Sequence, residues 1–490
     1  MHKLKKIAGK VSAPDNPLLR RLAAALVFGY VLFVLLFYFL AGEQLHLRES
    51  RGALTSQVAD RVTVEMTAGT VIEQVFTTKI QRLERVGVFW GTFTRLNAGT
   101  ATIELYDTRT GALLMSGSFN MAEITEGGIT ELTVETPIEG LAQVPLLLRI
   151  SSTDGVAGSA ATPLMNSQSQ EEGFSLSING ILTPGVLCFS ASGTDYIWTG
   201  LHYWQFATAG LVLILLFLGV VWYRYRKGKR SYVVNAVVAV QKYGFLIRQL
   251  VSRDFKTKYK RSILGVLWSF LNPLLMMCVQ YFVFSNIFKS DIPNFATYLL
   301  IGTVMFNFFT ESCGMALTSI LGNASLITKV YMPKYIYPLT RVLSSLINLA
   351  ISLIPLVIVC MATGIHFRKS AVLALFFLAC LVIFCLGFGL LLSTSMVFFR
   401  DTQFLWGVLS MMWMYATPIF YPENILPENF RFILQINPLY HFLKNTRMCI
   451  MDGLSPEPVV YVQCFLIALA ALLIGALVFH KNQDKFVLYL

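Results

Sequence analysis

Hydrophobic and polar positions follow three patterns along this chain. Two unbroken apolar runs, AALVFGYVLFVLLFYFLA (24–41) and FATAGLVLILLFLGVVW (206–222), bracket a polar region. Inside it, short β-branched segments alternate: RVTVEMTA (61–68), VIEQVFTTKI, ERVGVFWGTFTRL, TATIELYDT, GALLMSGSF, TELTVET, VPLLLRIS and FSLSINGIL. Turn residues separate them at Asn97–Gly99, Asp107–Gly111, Gly127–Gly128 and Asp154–Gly155. A period of two marks a half-buried strand, and seven or eight strands at this spacing predict an antiparallel, jelly-roll-like β-sandwich over 50–200. The run GVAGSAATPLMNSQSQEEG (155–173) predicts a long surface loop.

The third pattern begins at KYGFLIRQLVSRDFKTKYKR (242–261). Leu246, Ile247, Leu250, Val251, Phe255 and Tyr259 recur three or four residues apart, with Arg248, Arg253, Lys256 and Lys260 between them. This is a basic amphipathic helix, expected to lie in a membrane interface with its apolar side down. The next 27 residues (262–288) carry no charge, enough to cross a bilayer. Apolar segments at about 264–286, 295–316, 342–363, 372–395, 403–421 and 460–479 complete a polytopic α-helical membrane protein. With spans at 22–41 and 206–223, eight crossings are predicted, and 262–490 forms a six-span core. The segment 423–450 mixes aromatic and polar residues around Pro427 and Pro438, which predicts two short helices at or dipping into the outer face.

Composition agrees: the chain is 55% hydrophobic with a mean hydropathy of +0.61. The net charge of +12 alone would admit nucleic acid as a partner, but its distribution argues against that. Residues 1–21 hold six Lys/Arg and one acid, 224–261 hold twelve and one, and 42–205 hold nine Lys/Arg and seventeen acids. Basic charge beside the spans is the positive-inside signature. It places the basic tail 1–21 and both termini in the cytoplasm and residues 42–205 outside, with 22–41 as a retained signal anchor. The eight cysteines show no metal spacing and read as small buried hydrophobes.

Chemical motifs are sparse. The sequence has no GxxxxGK[ST] loop, GxSxG or HExxH, so neither an ATP site nor a hydrolase centre is legible. Glu311 is the one acid well inside a predicted span, with no charged partner expected there. A solitary carboxylate gives no proton relay, and a hydrogen bond to a helix partner is its ordinary role. Trp90, Phe93, Tyr106, Tyr196 and Trp198 are the sandwich's candidates for stacking on sugar, against core packing as the ordinary role. Phe282, Phe306, Phe309, Trp413, Tyr415 and Phe420 are candidates for lining a path along which a sugar chain slides, against ordinary helix packing.

At RDFKTKYKRSILGVLWSFLNPLL (253–275) the chain resembles the start of the membrane subunit of polysaccharide-exporting ABC transporters, the O-antigen, capsule and teichoic acid exporters. Three more segments match in order: ASLITKVYMPKYIYPLTRVLSSLIN (324–348), VFFRDTQFL (397–405) and ATPIFYPENILPENFRFILQINPLYHFLKNTR (416–447). The resemblance covers about 240–490, and residues 1–240 depart from it. It implies a homodimer, two separate cytoplasmic ATPase subunits that carry the ATP and Mg, a channel at the dimer interface and no chemistry by this chain. The ATPase-coupling residues it implies are Arg253, Asp254, Lys258 and Arg261 on the amphipathic helix, Leu326, Lys329, Met332, Pro333 and Lys334 in the second loop, and Arg400 and Asp401 in the third. A lipid-linked polysaccharide is the implied cargo. Arg248 and Arg261 are candidates for its diphosphate, since Arg and Lys suit phosphate. A membrane-anchored glycan sensor or assembly scaffold is the alternative. It would function without an ATPase. A glycan-modifying enzyme would need clustered acids or histidines at a membrane face, and the sequence shows none.

Overall fold

The computed structural model describes residues 17–52, 59–169, 173–227, 232–260, 263–287, 292–329, 332–425 and 427–489. The chain divides into two compact units, His46–Leu201 and the remainder.

The 46–201 unit is built from antiparallel sheets. Its strands are β1 (Leu47–Gly52), β2 (Arg61–Val62), β3 (Val71–Thr77), β4 (Arg82–Gly91), β5 (Thr100–Asp107), β6 (Leu113–Asn120), β7 (Ile129–Glu139), β8 (Pro145–Ser152), β9 (Thr162–Asn166), β10 (Ser175–Ile178), β11 (Ile181–Thr183), β12 (Val186–Leu187) and β13 (Phe189–Tyr196). One sheet runs β1-β13-β4-β9-β12, with β2 on β9 and β7 on β4, and the other runs β11-β10-β3-β8-β5-β6. Alternation does what the sequence indicates. Ile72 and Phe76 on β3, Ile103 and Leu105 on β5, and Leu146, Leu148 and Ile150 on β8 are buried in one core with Val86, Val88 and Trp90 of β4. The predicted loop 155–173 is partly wrong, because it contains β9, which pairs with β4, β2 and β12. β13 also went unpredicted. Its sequence FSASGTDY has few bulky residues, and at Gly193 the register shifts by a bulge. A Cβ at Gly193 would collide with the Arg82 carbonyl, so only glycine fits that bend. A single helical turn, α2 (Trp198–Leu201), ends the unit.

The second unit begins with α1 (Pro17–Ala41) and resumes at α3 (Tyr203–Arg226). It continues through α4 (Tyr232–Tyr259), α5 (Leu267–Tyr281), α6 (Phe295–Leu317), α7 (Ala324–Lys329), α8 (Ile336–Ala362), α9 (Ala374–Phe398) and α10 (Thr402–Tyr415). Then come α11 (Arg431–Ile436), α12 (Pro438–Arg447), α13 (Pro458–Asn482) and α14 (Phe486–Tyr489). Among the described residues seven helices are long and apolar enough to cross a membrane, not the eight predicted. The shortfall is α10. It has 14 residues, about 21 Å at the usual rise, against a hydrocarbon core of about 30 Å. The chain leaves helical geometry just before Pro418, whose ring disfavours a helical residue ahead of it.

The first span is no mere tether. Phe33 stacks on Phe376 at 5.4 Å, Phe37 meets Tyr461 edge-on at 4.7 Å, and Tyr203 donates its hydroxyl to the Val34 carbonyl at 2.8 Å. Gln44 then accepts from the Ser455 amide at 2.7 Å. Helices α9 and α13 approach each other closely. Gly387 and Gly475 let the two backbones touch, and a Cβ at either would strike the other helix.

Candidate functional site

The basic helix α4 is organised by what its apolar stripe meets. Tyr243, Leu246, Ile247 and Leu250 pack with Ile320, Met332, Ile336, Tyr337, Val397, Phe479 and Phe486. The first part of the stripe expected to face lipid, Leu246, Ile247 and Leu250, is therefore spent on protein, at the ends of α8, α9 and α13. One turn beyond Leu250, Asp254 is buried, its side chain 4% exposed. Arg253 donates to its Oδ1 through Nε at 3.1 Å and Nη2 at 2.9 Å, and reaches Asn323 Oδ1 at 3.3 Å. From α8, Arg341 Nη1 sits 3.3 Å from Asp254 Oδ2. One carboxylate thus joins α4 to α8, and its arginine partner reaches the turn before α7.

One turn further, α4 reaches a second junction. Lys258 Nζ donates to Glu311 Oε1 at 2.8 Å, and Asn348 Nδ2 donates to the same oxygen. The Tyr259 hydroxyl donates to Asn348 Oδ1 at 2.9 Å and closely contacts Ser269 Oγ. Glu311 has the helix partner that the sequence indicates, Asn348, but also a cation it did not indicate, and it is the acceptor of a network joining α4, α5, α6 and α8. The cation is not legible among the spans because Lys258 sits on the helix assigned to the interface. This network borders a cavity of about 660 Å³.

At the other end, the broken segment is held by two side chains. Asn437 Oδ1 accepts from Trp413 Nε1 at 2.8 Å and from the Leu439 amide at 3.1 Å, capping α12, while Nδ2 donates to Thr417 Oγ1 at 2.8 Å. Arg447, buried at the end of α12, donates to the carbonyls of Pro418 (2.6 Å), Tyr298 (2.9 Å) and Ile419 (3.1 Å). Its guanidinium lies 3.3 Å from the Tyr298 ring centroid. Carbonyls freed where α10 stops are thereby satisfied inside protein. The two short helices α11 and α12 agree with the sequence expectation around Pro427 and Pro438.

Comparison with known proteins places this arrangement. The family model of the ABC-2 type transporter matches residues 245–451. The O-antigen export system permease protein RfbA of Klebsiella pneumoniae is 30% identical over 247 residues, half of this chain and 95% of that protein. This chain belongs to the ABC-2 type transporter family. The Myxococcus xanthus RfbA is 28% identical over 255 residues (52% of this chain, 98% of that one). The Escherichia coli polysialic acid transport protein KpsM is 25% identical over 246 residues (49% and 93%).

In this ABC-2 type protein the predicted coupling residues divide by exposure. Arg253 is partly exposed, and Leu326, Arg400 and Asp401 are exposed. Asp254 and Met332 are buried and Pro333 is half-buried. Lys334 donates to the Gln483 carbonyl at 2.6 Å, which ties the second loop to the C-terminal segment. Lys258 turns to Glu311. Arg261 and the Lys329 side chain lie outside the described residues. Of the diphosphate candidates, Arg248 is exposed.

Among the membrane aromatics, Phe306, Phe309 and Phe420 are buried, while Phe282 and Tyr415 are exposed on the protomer. Phe309 centres a knot with Phe384, Phe388, Trp406 and Trp413 at 5.0 to 6.1 Å between centroids. In the sandwich unit, Trp90 is wholly buried and donates Nε1–H to Thr130 Oγ1 at 2.6 Å. Tyr106 is half-buried on the six-stranded sheet. Phe93, Tyr196 and Trp198 are exposed, Arg95 lying over Phe93 at 4.9 Å and Tyr196 donating its hydroxyl to Glu139 at 2.8 Å. The five are not gathered on one face. The residues that sequence reasoning missed are Arg341, Asn348, Asn437 and Arg447. Each is a strongly polar residue in an apolar or proline-flanked segment, which is the signal that would have found it.

Proposed function

We propose that this chain is the membrane subunit of an ATP-driven exporter that moves a lipid-linked polysaccharide out across the inner membrane. It works as a homodimer with two cytoplasmic ATPase subunits that bind ATP and Mg, and it performs no chemistry itself. The relatives named for O-antigen and polysialic acid transport support the cargo class. The observation that carries the mechanism is the buried Asp254 junction. In this reading Arg253, on the surface beside it, meets the partner, and Asp254 passes that displacement to Arg341 on α8. Arg253, Leu326, Lys329, Pro333, Arg400 and Asp401 then form the ATPase-facing set. Both termini and this set face the cytoplasm, and residues 42–205 face outward, where the sandwich binds the emerging glycan.

Copurification tests the assembly: the tagged chain brings down a Walker-type ATPase, and polymer at the cell surface depends on both. Normal function in a strain lacking that ATPase would favour the sensor or scaffold reading instead. Binding of the 46–201 fragment to the organism's own polymer on a glycan array tests the sandwich role.

A further inference from the structure

The cavity beside Glu311 has a chemistry that packing alone does not require. Lys258, Asn272, Asn307, Glu311 and Asn348 line it, and Trp268 forms part of its wall with its side chain accessible. Ionisable groups among apolar helices are costly and persist where they pair or face a polar ligand. Here the single carboxylate and the single ammonium neutralise each other at 2.8 Å. Both hydrogen bonds given to Glu311 fall on Oε1. Asn272 and Asn307 are exposed along α5 and α6. The volume lies within the range of about 300–1,000 Å³ that encloses small organic ligands.

Net charge decides between ligands. A phosphate entering here would meet a carboxylate beside an ammonium already neutralised. A neutral sugar meets side-chain amides that both donate and accept, a carboxylate oxygen that accepts from hydroxyls, and an indole face for its C–H surface. We propose that this cavity holds a neutral pyranose unit, with Glu311, Asn307 and Asn272 as hydrogen-bonding groups and Trp268 as the stacking wall. The assignment rests on the export reading. It adds a polar holding site distinct from the buried aromatic knot around Phe309, and it separates sugar recognition from recognition of an anionic lipid cap.

The test uses the full-length purified chain carrying Met276→Cys, a cavity-lining reporter. Alkylation of residue 276 by N-ethylmaleimide is followed by peptide mass spectrometry. Maltotriose, a neutral oligosaccharide, is expected to slow labelling saturably, and inorganic pyrophosphate is not. Glu311→Gln should weaken the maltotriose effect about tenfold, the loss of one charge-assisted hydrogen bond. Asn307→Ala, at an exposed position outside the α4 network, should weaken it as well and keeps the test open if the first variant folds poorly. Protection by pyrophosphate but not maltotriose overturns the neutral-sugar assignment. So does the absence of maltotriose protection in a chain whose parent exports polymer normally. Failure of the parent to export polymer would instead strike the export reading.

Discussion

Replacing Asp254 by Ala should uncouple the α4 lever from α8. The carboxylate is buried and accepts two N–H groups of Arg253, with Arg341 as a second cation. Removing it leaves Arg341, whose side chain is 23% exposed, facing Arg253 across an emptied site. Breaking a buried pair by deleting one partner costs about 3–5 kcal/mol. Arg253 is 44% exposed and recovers solvation, so the lower end, about 3 kcal/mol, is expected. Asp254→Asn keeps an acceptor for Arg253 but not the charge that holds Arg341, and should lose roughly half as much.

The assay has two readouts on the assembled transporter. Thermal unfolding in detergent reports the stability lost. ATP hydrolysis compared with surface polymer reports coupling. Asp254→Asn should retain ATPase association and hydrolysis while export falls, because the lever no longer carries α8 with it. A double-mutant cycle with Arg341→Met should show an interaction energy of about 1–3 kcal/mol, since the two side chains are in contact. Additive effects in that cycle, or Asp254→Ala with unchanged melting and unchanged export per ATP, would refute the junction as a transmission point.

Three further outcomes are expected. Gly475→Val should push α13 off α9 and cost about 1–3 kcal/mol, read as a lower detergent melting temperature and poor membrane yield; equal melting to the parent would show the helices are not in backbone contact. Arg447→Lys should fail to rescue Arg447→Ala in export and stability, because a point-charge ammonium cannot fork to three carbonyls; full rescue would mean that charge, not geometry, matters. In the sandwich, the Arg95 hydrogen bond holds Glu65 below the usual carboxylate range, and the Thr92 hydroxyl with the Thr92 and Thr94 amides does the same for Glu126. Depressed carboxylates contribute stability that is present above their unfolded value, about 4.3, and lost as pH falls through the folded values. The 46–201 fragment should therefore melt at the same temperature at neutral and mildly acidic pH and lower below about pH 4, and Glu126→Gln should flatten that fall. Identical melting of the parent at pH 3 and pH 6 would contradict it.

The division into an all-β region and a helical core was legible because both periods are strong. Period two on β3, β5 and β8 predicted their buried faces, and the apolar runs predicted the long helices. Elements held by tertiary context were not legible. β9 is a five-residue strand interrupted by Pro163, β13 is rich in small and polar residues, and the pairing of both comes from neighbours distant in sequence. At the site the segments were legible and the side-chain partners of single residues were not. A basic residue on α4 gives no sign in sequence of whether it faces a partner or an acid 53 positions away, as Lys258 does. The short α14 shows the same limit. FVLYL reads as a tail, yet Phe486 is fully buried beside Phe398 and Phe479.

These contacts define how α4 can move. Leu250 packs in the cluster that holds Ile336 and Tyr337, Asp254 pairs with Arg341, and Tyr259 bonds Asn348. Contacts advance together along α4 and α8, so the two helices run side by side in the same direction. A lever pinned at one point can pivot and dissipate a push. One pinned at Asp254 and again at Lys258 and Tyr259 cannot rotate without straining one junction. A displacement of α4 would therefore be expected to carry α8 as a body, and α6 through Glu311. The second junction borders the cavity, so any displacement of α4 also changes the distance between Lys258 and Glu311. Under the proposed export function, lever position and the charge balance of the cavity would thus be one variable.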